Sequence, residues 1–66
     1  MNVTLNGKPR EFPDSISVAA LLEELKLHPR QVAVEINREI VKRDQFDVHR
    51  VQDGDELEIL RFVGGG

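Results

Sequence analysis

Few side chains in this 66-residue sequence are of a type and spacing that could do chemistry. There is no cysteine, which excludes a disulfide framework, a thiolate metal site, a cysteine nucleophile and persulfide storage on a side chain. His28 and His49 stand far apart, and neither has a second nitrogen ligand at metal spacing, so no zinc site is expected. Asp53-Gly54-Asp55 sets two carboxylates around a glycine, a pattern that fits a turn with Gly54 at positive φ better than a metal loop. Asp44 and Asp47 read as a local cap or a solvated face rather than an acid/base pair, and His49 as a surface or packing residue. Asn37 is expected to order a turn. Arg38, Lys42 and Arg43 form a small basic cluster, read as a solvated face, with docking to an acidic patch on a partner as the sharper alternative.

What remains is the end of the sequence, Arg61-Phe62-Val63-Gly64-Gly65-Gly66. Glycine loses the most conformational entropy on ordering and packs nothing, so three in a row contribute no stability. They make a thin filament without side chains that reaches roughly 10 Å beyond the fold at ~3.3–3.6 Å per residue. Such a filament fits a narrow channel in a partner and presents a terminal carboxylate there. Glycine tails are also common linkers, and a frayed or engineered end would look the same. The tail by itself does not separate these readings.

The elements that would position this end follow from the hydrophobic pattern. Val3-Thr4-Leu5 alternates as a half-buried strand does, and Asn6-Gly7 suits a two-residue hairpin turn. The return strand, through about Arg10–Phe12, puts Phe12 inside, and Pro9 confines it to a sheet edge because it lacks a ladder donor. One main helix is predicted at about 17–27. Ser17 is its N-cap, Ile16 and Leu21 form a hydrophobic staple, and Val18, Leu21, Leu22 and Leu25 make one apolar face. Lys26 and His28 suit the dipole at its end, and Pro29 stops it. Gln31–Ile36 reads as a strand, Asn37-Arg38-Glu39 as a turn, and Ile40-Val41 as a short strand. Lys42–Arg50 is polar and irregular, with one helical turn anchored by Phe46.

After Asp53-Gly54-Asp55 the last strand is expected over Glu56–Val63, with Leu57 and Ile59 on one face and Leu60 and Phe62 on the other. One helix can cover only one face of a small mixed sheet of four to five strands. The result is an α+β roll of the β-grasp kind, spanning residues 1–63 and followed by a flexible glycine tail at 64–66. The first and last strands then pair in parallel at the sheet centre. Leu60 is expected to be a docking contact and Phe62, with Val63, a rim contact, since contiguous exposed apolar surface marks interaction sites. The alternative is that 42–50 folds over them, with Phe46 filling the gap.

Size and charge narrow the function classes. A chain this short holds one domain, with 39% hydrophobic residues for a single thin core, and argues against an enzyme with a deep walled pocket. Nine basic against twelve acidic side chains give a net charge of −3, which disfavours nucleic acid and anionic membrane surfaces as partners. No basic leader precedes an apolar stretch, and no apolar run approaches membrane length, so a cytoplasmic location is expected.

A compact β-grasp pattern ending in Gly-Gly resembles the ubiquitin-like family. Val34-Glu35-Ile36-Asn37, Ile40-Val41-Lys42-Arg43, Phe46, His49, Val51, Asp53-Gly54-Asp55 and Leu57-Glu58-Ile59 together resemble the thiamine-biosynthesis sulfur carriers over essentially the whole chain. The one departure is Gly64, where a small residue such as alanine is also familiar. The resemblance implies a carrier whose terminal carboxylate, on Gly66, is adenylated by an E1-like adenylyltransferase of the ThiF type using ATP and Mg²⁺. A persulfide sulfur from a cysteine desulfurase or other donor then displaces AMP. The resulting thiocarboxylate gives its sulfur to a thiazole synthase of the ThiG type. A carboxyl with an ordinary pKa of ~3.3–3.7 is ionised at neutral pH and a poor electrophile, which is why activation must precede sulfur transfer. On this reading the chain is a substrate and shuttle, not an enzyme, and carries no resident cofactor. No phosphate-binding glycine loop leading into a helix is present, so the nucleotide machinery lies on the partner. The molybdopterin synthase small subunit shares the fold and tail. A ubiquitin-like modifier joined to lysines and a plain regulatory β-grasp domain are the readings from other classes.

Overall fold

The computed structural model describes residues 1–62. Five strands form one sheet: β1 (Asn2–Leu5), β2 (Lys8–Glu11), β3 (Val32–Ile36), β4 (Glu39–Val41) and β5 (Glu56–Arg61). Their order is β2-β1-β5-β3-β4, with β1 and β5 parallel and the other pairs antiparallel. The last strand thus lies at the sheet centre, as the β-grasp roll requires. Both hairpins are two-residue turns with positive φ at each position, Asn6 and Gly7 in the first, Asn37 and Arg38 in the second. That backbone twist matches the twist of the flanking strands. Glu39, expected in the second turn, instead opens β4 opposite Ile36. Pro9 sits on the edge strand β2, as expected.

The helix α1 is shorter than the sequence suggests, Val18–Glu24 rather than 17–27. Its start is as read: the Ala20 amide donates to Ser17 Oγ at 3.0 Å. Its end comes three residues early because Lys26 adopts φ +59. The Lys26 amide donates to the Glu23 carbonyl at 3.0 Å and the Leu27 amide to the Leu22 carbonyl at 2.9 Å, closing the helix in a Schellman motif. His28 therefore never reaches the helix dipole. Its Nδ1 accepts the Arg30 amide at 3.1 Å and caps a 3₁₀ turn at Pro29–Gln31, so β3 begins at Val32 instead of Gln31.

The core lies between α1 and one sheet face. Val18, Leu21 and Leu22 of the helix are fully buried against Val32 and Val34 of β3 and Leu57 and Ile59 of β5. Phe12, Ile16 and Phe46 close the margins. The segment 42–50, with a 3₁₀ turn at Arg43–Gln45, packs on the start of the helix. The Phe46 carbonyl accepts the Ala19 amide at 2.9 Å and the His49 carbonyl accepts the Val18 amide at 3.0 Å. With Ser17 Oγ, these satisfy the first three helical N–H groups, which have no intrahelical partner. No described helix is long and apolar enough to cross a membrane.

Candidate functional site

The candidate site is the sheet face that α1 leaves bare, together with the strand that leads out of it. Strand side chains alternate between faces, so burying Leu57 and Ile59 drives Leu60 and Phe62 outward. They are 63% and 54% exposed. The segment 42–50, bound to the helix start, does not cover them, and Phe46 points into the core. Val63, Gly64, Gly65 and Gly66 lie outside the described residues, so the expected tail and the Val63 rim contact are placed only by their nearness in sequence to Phe62.

The register lays out the rest of this face. Leu60 is opposite Ala33 on β3, and Glu58 is opposite Glu35, whose other neighbour is Ile40 on β4. Glu56 lies opposite Thr4 on β1. The face thus has an apolar end next to the chain exit and an acidic stretch behind it.

Two asparagines hold β5 in place. Ile59, in the middle of β5, is gripped by the Asn6 side chain: its amide donates to Oδ1 at 2.8 Å, and Nδ2 donates to its carbonyl at 3.2 Å. Asn37 does the same work at the start of the strand. Its Oδ1 accepts the Glu56 amide at 3.0 Å and its Nδ2 donates to Asp55 Oδ1 at 3.1 Å. The turn role expected of Asn37 is observed, whereas the part played by Asn6 beyond its own hairpin has no local sequence signal.

The remaining polar candidates serve the fold. Gly54 takes φ +86 in a turn. Asp53 Oδ1 accepts the Asn2 amide at 2.7 Å, and Asp55 Oδ2 accepts the Gln52 amide at 2.8 Å. Among the described residues no group of three metal-ligating side chains is arranged to hold an ion. Asp44 and Asp47 are exposed. The basic cluster is not gathered into one site. Arg43 donates through Nε to the Pro29 carbonyl at 3.0 Å and through Nη2 to the Val32 carbonyl at 3.4 Å. Lys42 and the exposed His49 line a groove of about 260 Å³ beside β4 with Ile36 and Ile40, while Arg38 sits by Glu35, Glu56 and Glu58.

Residues 3–66 match the family model described as the ThiS family. The chain belongs to the ThiS family. All 66 residues align at 33% identity with the whole of the sulfur carrier protein ThiS of Escherichia coli. The crystal structure of the thiamine biosynthesis protein ThiS from Geobacter metallireducens superimposes with a TM-score of 0.86 at 45% identity, covering all of both chains. The chain is also 48% identical over its full length to part of a thiazole synthase of Paramagnetospirillum magneticum, of which it spans 20%. A second thiazole synthase, from Magnetococcus marinus, is 35% identical, and the chain spans the same 20% of it. A ThiS-family chain with this layout offers a central strand and an uncovered apolar surface beside its end.

Proposed function

We propose that this chain is a sulfur carrier for thiazole formation in thiamine biosynthesis, and that its reactive atom is the carboxyl carbon of Gly66. The observation that carries this reading is the position of β5. It is the central strand, held by β1, β3 and two asparagine side chains, and its end is followed in sequence by Phe62, Val63 and three glycines. A glycine filament leaving a rigid strand delivers its carboxylate into a partner's site with no side chain in the way.

The chemistry needs activation first. An E1-like adenylyltransferase joins the Gly66 carboxylate to AMP from ATP, and pyrophosphate leaves. The terminal sulfur of a persulfide, supplied through a cysteine desulfurase, attacks the acyl carbon and AMP departs. A thiol then cuts the S–S bond of the acyl disulfide, leaving the thiocarboxylate on the carrier and a disulfide on the donor side. Thiazole synthase takes that sulfur, and the carboxylate is regenerated. The chain is a substrate throughout and catalyses none of these steps. The names of its relatives, a sulfur carrier and two thiazole synthases, support the thiazole route. Leu60, Phe62 and Val63 serve as docking contacts, with Gly64 and Gly65 as the filament.

Incubating the chain with the adenylyltransferase and MgATP should give an acyl-adenylate at Gly66. Adding the persulfide donor should exchange one carboxyl oxygen for one sulfur, both steps read by intact mass. One residue appended after Gly66 should abolish both. Retained adenylation of the extended chain would sink the tail mechanism.

A further inference from the structure

The outgoing half of β5 has one bare edge. In an antiparallel ladder, alternate residues turn their N–H and C=O groups to opposite sides of the strand. The Phe62 amide donates to the Gln31 carbonyl at 2.9 Å and the Asn37 amide to the Glu56 carbonyl at 2.7 Å, so the even-numbered residues bond toward β3. Odd-numbered residues turn toward β1. The Leu57 carbonyl accepts the Asn6 amide at 2.9 Å, and the Asn6 side chain takes both main-chain groups of Ile59. Arg61 is the next odd residue. By then β1 has ended at Leu5 and the chain has turned away through Asn6-Gly7, so the main-chain groups of Arg61 face the β1 side with no partner among the described residues.

We propose that this edge, opening at Arg61, accepts an added β-strand from the thiazole synthase that receives the tail. The inference rests on the sulfur-carrier reading above. An extended segment laid along a bare edge gains main-chain hydrogen bonds and places alternate side chains on each face. On the open face those side chains meet Leu60 and Phe62, which the fold leaves exposed. The sheet's two outer edges are poorer hosts: β2 carries Pro9 and charged residues, and β4 is three residues long. The occupant follows from the relatives. In two thiazole synthases a segment matching this whole chain makes up a fifth of the polypeptide, so carrier and synthase share one molecule there. The edge also lies directly upstream of the glycines that the synthase must admit.

Amide hydrogen exchange on the full chain, alone and with purified thiazole synthase, tests the proposal. The Arg61 amide should exchange rapidly in the free chain and at least tenfold more slowly in the complex. Arg61→Pro removes a donor that the fold does not use, and should weaken synthase binding about tenfold, the scale of one lost main-chain bond. Arg61→Ala, which keeps the donor, should bind within about twofold of the unsubstituted chain. No complex with the synthase, or a complex in which the Arg61 amide exchanges as fast as in the free chain, overturns the proposal. Protection by the adenylyltransferase alone overturns it as well. Thiocarboxylate formation on the unsubstituted chain is measured separately, so a failed carrier reading is told apart from a wrongly assigned edge.

Discussion

Asn6 combines two properties that rarely coincide in one residue. Its backbone sits at φ +49, which asparagine tolerates better than most residues, and its side-chain amide replaces a missing strand for Ile59. Asn6→Ala loses on both counts. It leaves a partly buried N–H and C=O without partners and puts an alanine in the left-handed region, for a combined loss of about 2–3 kcal/mol. Asn6→Gly loses the side chain but not the backbone fit, and should be about 1 kcal/mol less damaging. Urea denaturation of the two variants measures both numbers. A loss below about 0.5 kcal/mol for Asn6→Ala would mean the clamp is idle. The turn at Asn6-Gly7 is legible in the sequence because the dipeptide favours positive φ locally. The clamp is not, because its partner lies 53 residues away. Arg43 shows the same limit: its charge reads as a surface cluster, whereas its guanidinium is committed to carbonyls at Pro29 and Val32. Leu60 and Phe62 were legible as outward-facing, since strand periodicity follows once Leu57 and Ile59 are placed in the core.

Among the elements, α1 is legible in the sequence at its start but not at its end. Ser17 and the Val18-Leu21-Leu22 spacing mark its start and buried face without ambiguity. At the other end Leu25 and Leu27 prolong the apolar pattern, so the sequence reads as helix for three more residues. The Schellman closure explains the coincidence, because it brings Leu27 back against the core just as another turn of helix would. What the pattern could not reveal is Lys26 at φ +59, a conformation that glycine occupies without steric cost. Lys26→Gly should therefore stabilise the fold by about 0.5–1 kcal/mol. For a domain of this size that corresponds to a rise in Tm of about 2–8 °C by calorimetry. Lys26→Val should lower it, since a β-branched side chain fits that region worst. If Lys26→Gly destabilises the protein, the helix end is not held as described. A seven-residue helix has little stability of its own, so these terminal contacts and the packing of its buried face are what keep it formed.

At the scale of the whole molecule, the sulfur-carrier reading proposes two attachment points: the open sheet face and the glycine end that follows β5 in sequence. On the sulfur-carrier reading, docking of the face raises the effective concentration of the tail at the partner's active site. The two contributions are separable by kinetics. Leu60→Asp should leave the urea midpoint nearly unchanged, because Leu60 is 63% exposed and supports no core neighbour in the free chain. In adenylation it should remove about 2 kcal/mol of apolar burial at the interface, raising KM roughly 30-fold. The turnover rate at saturating carrier should hardly move, since the acyl carbon and its approach to ATP are untouched and only uniform binding is lost. Ile40→Asp is the matched control. Ile40 is 75% exposed on the same face but stands on β4, two strands from β5. If it raises KM as much as Leu60→Asp does, the effect is general charge repulsion and the apolar end of the face has no special part in docking. If neither variant changes KM, the tail alone recruits the adenylyltransferase, and the exposed leucine must be explained by the strand added at the neighbouring edge.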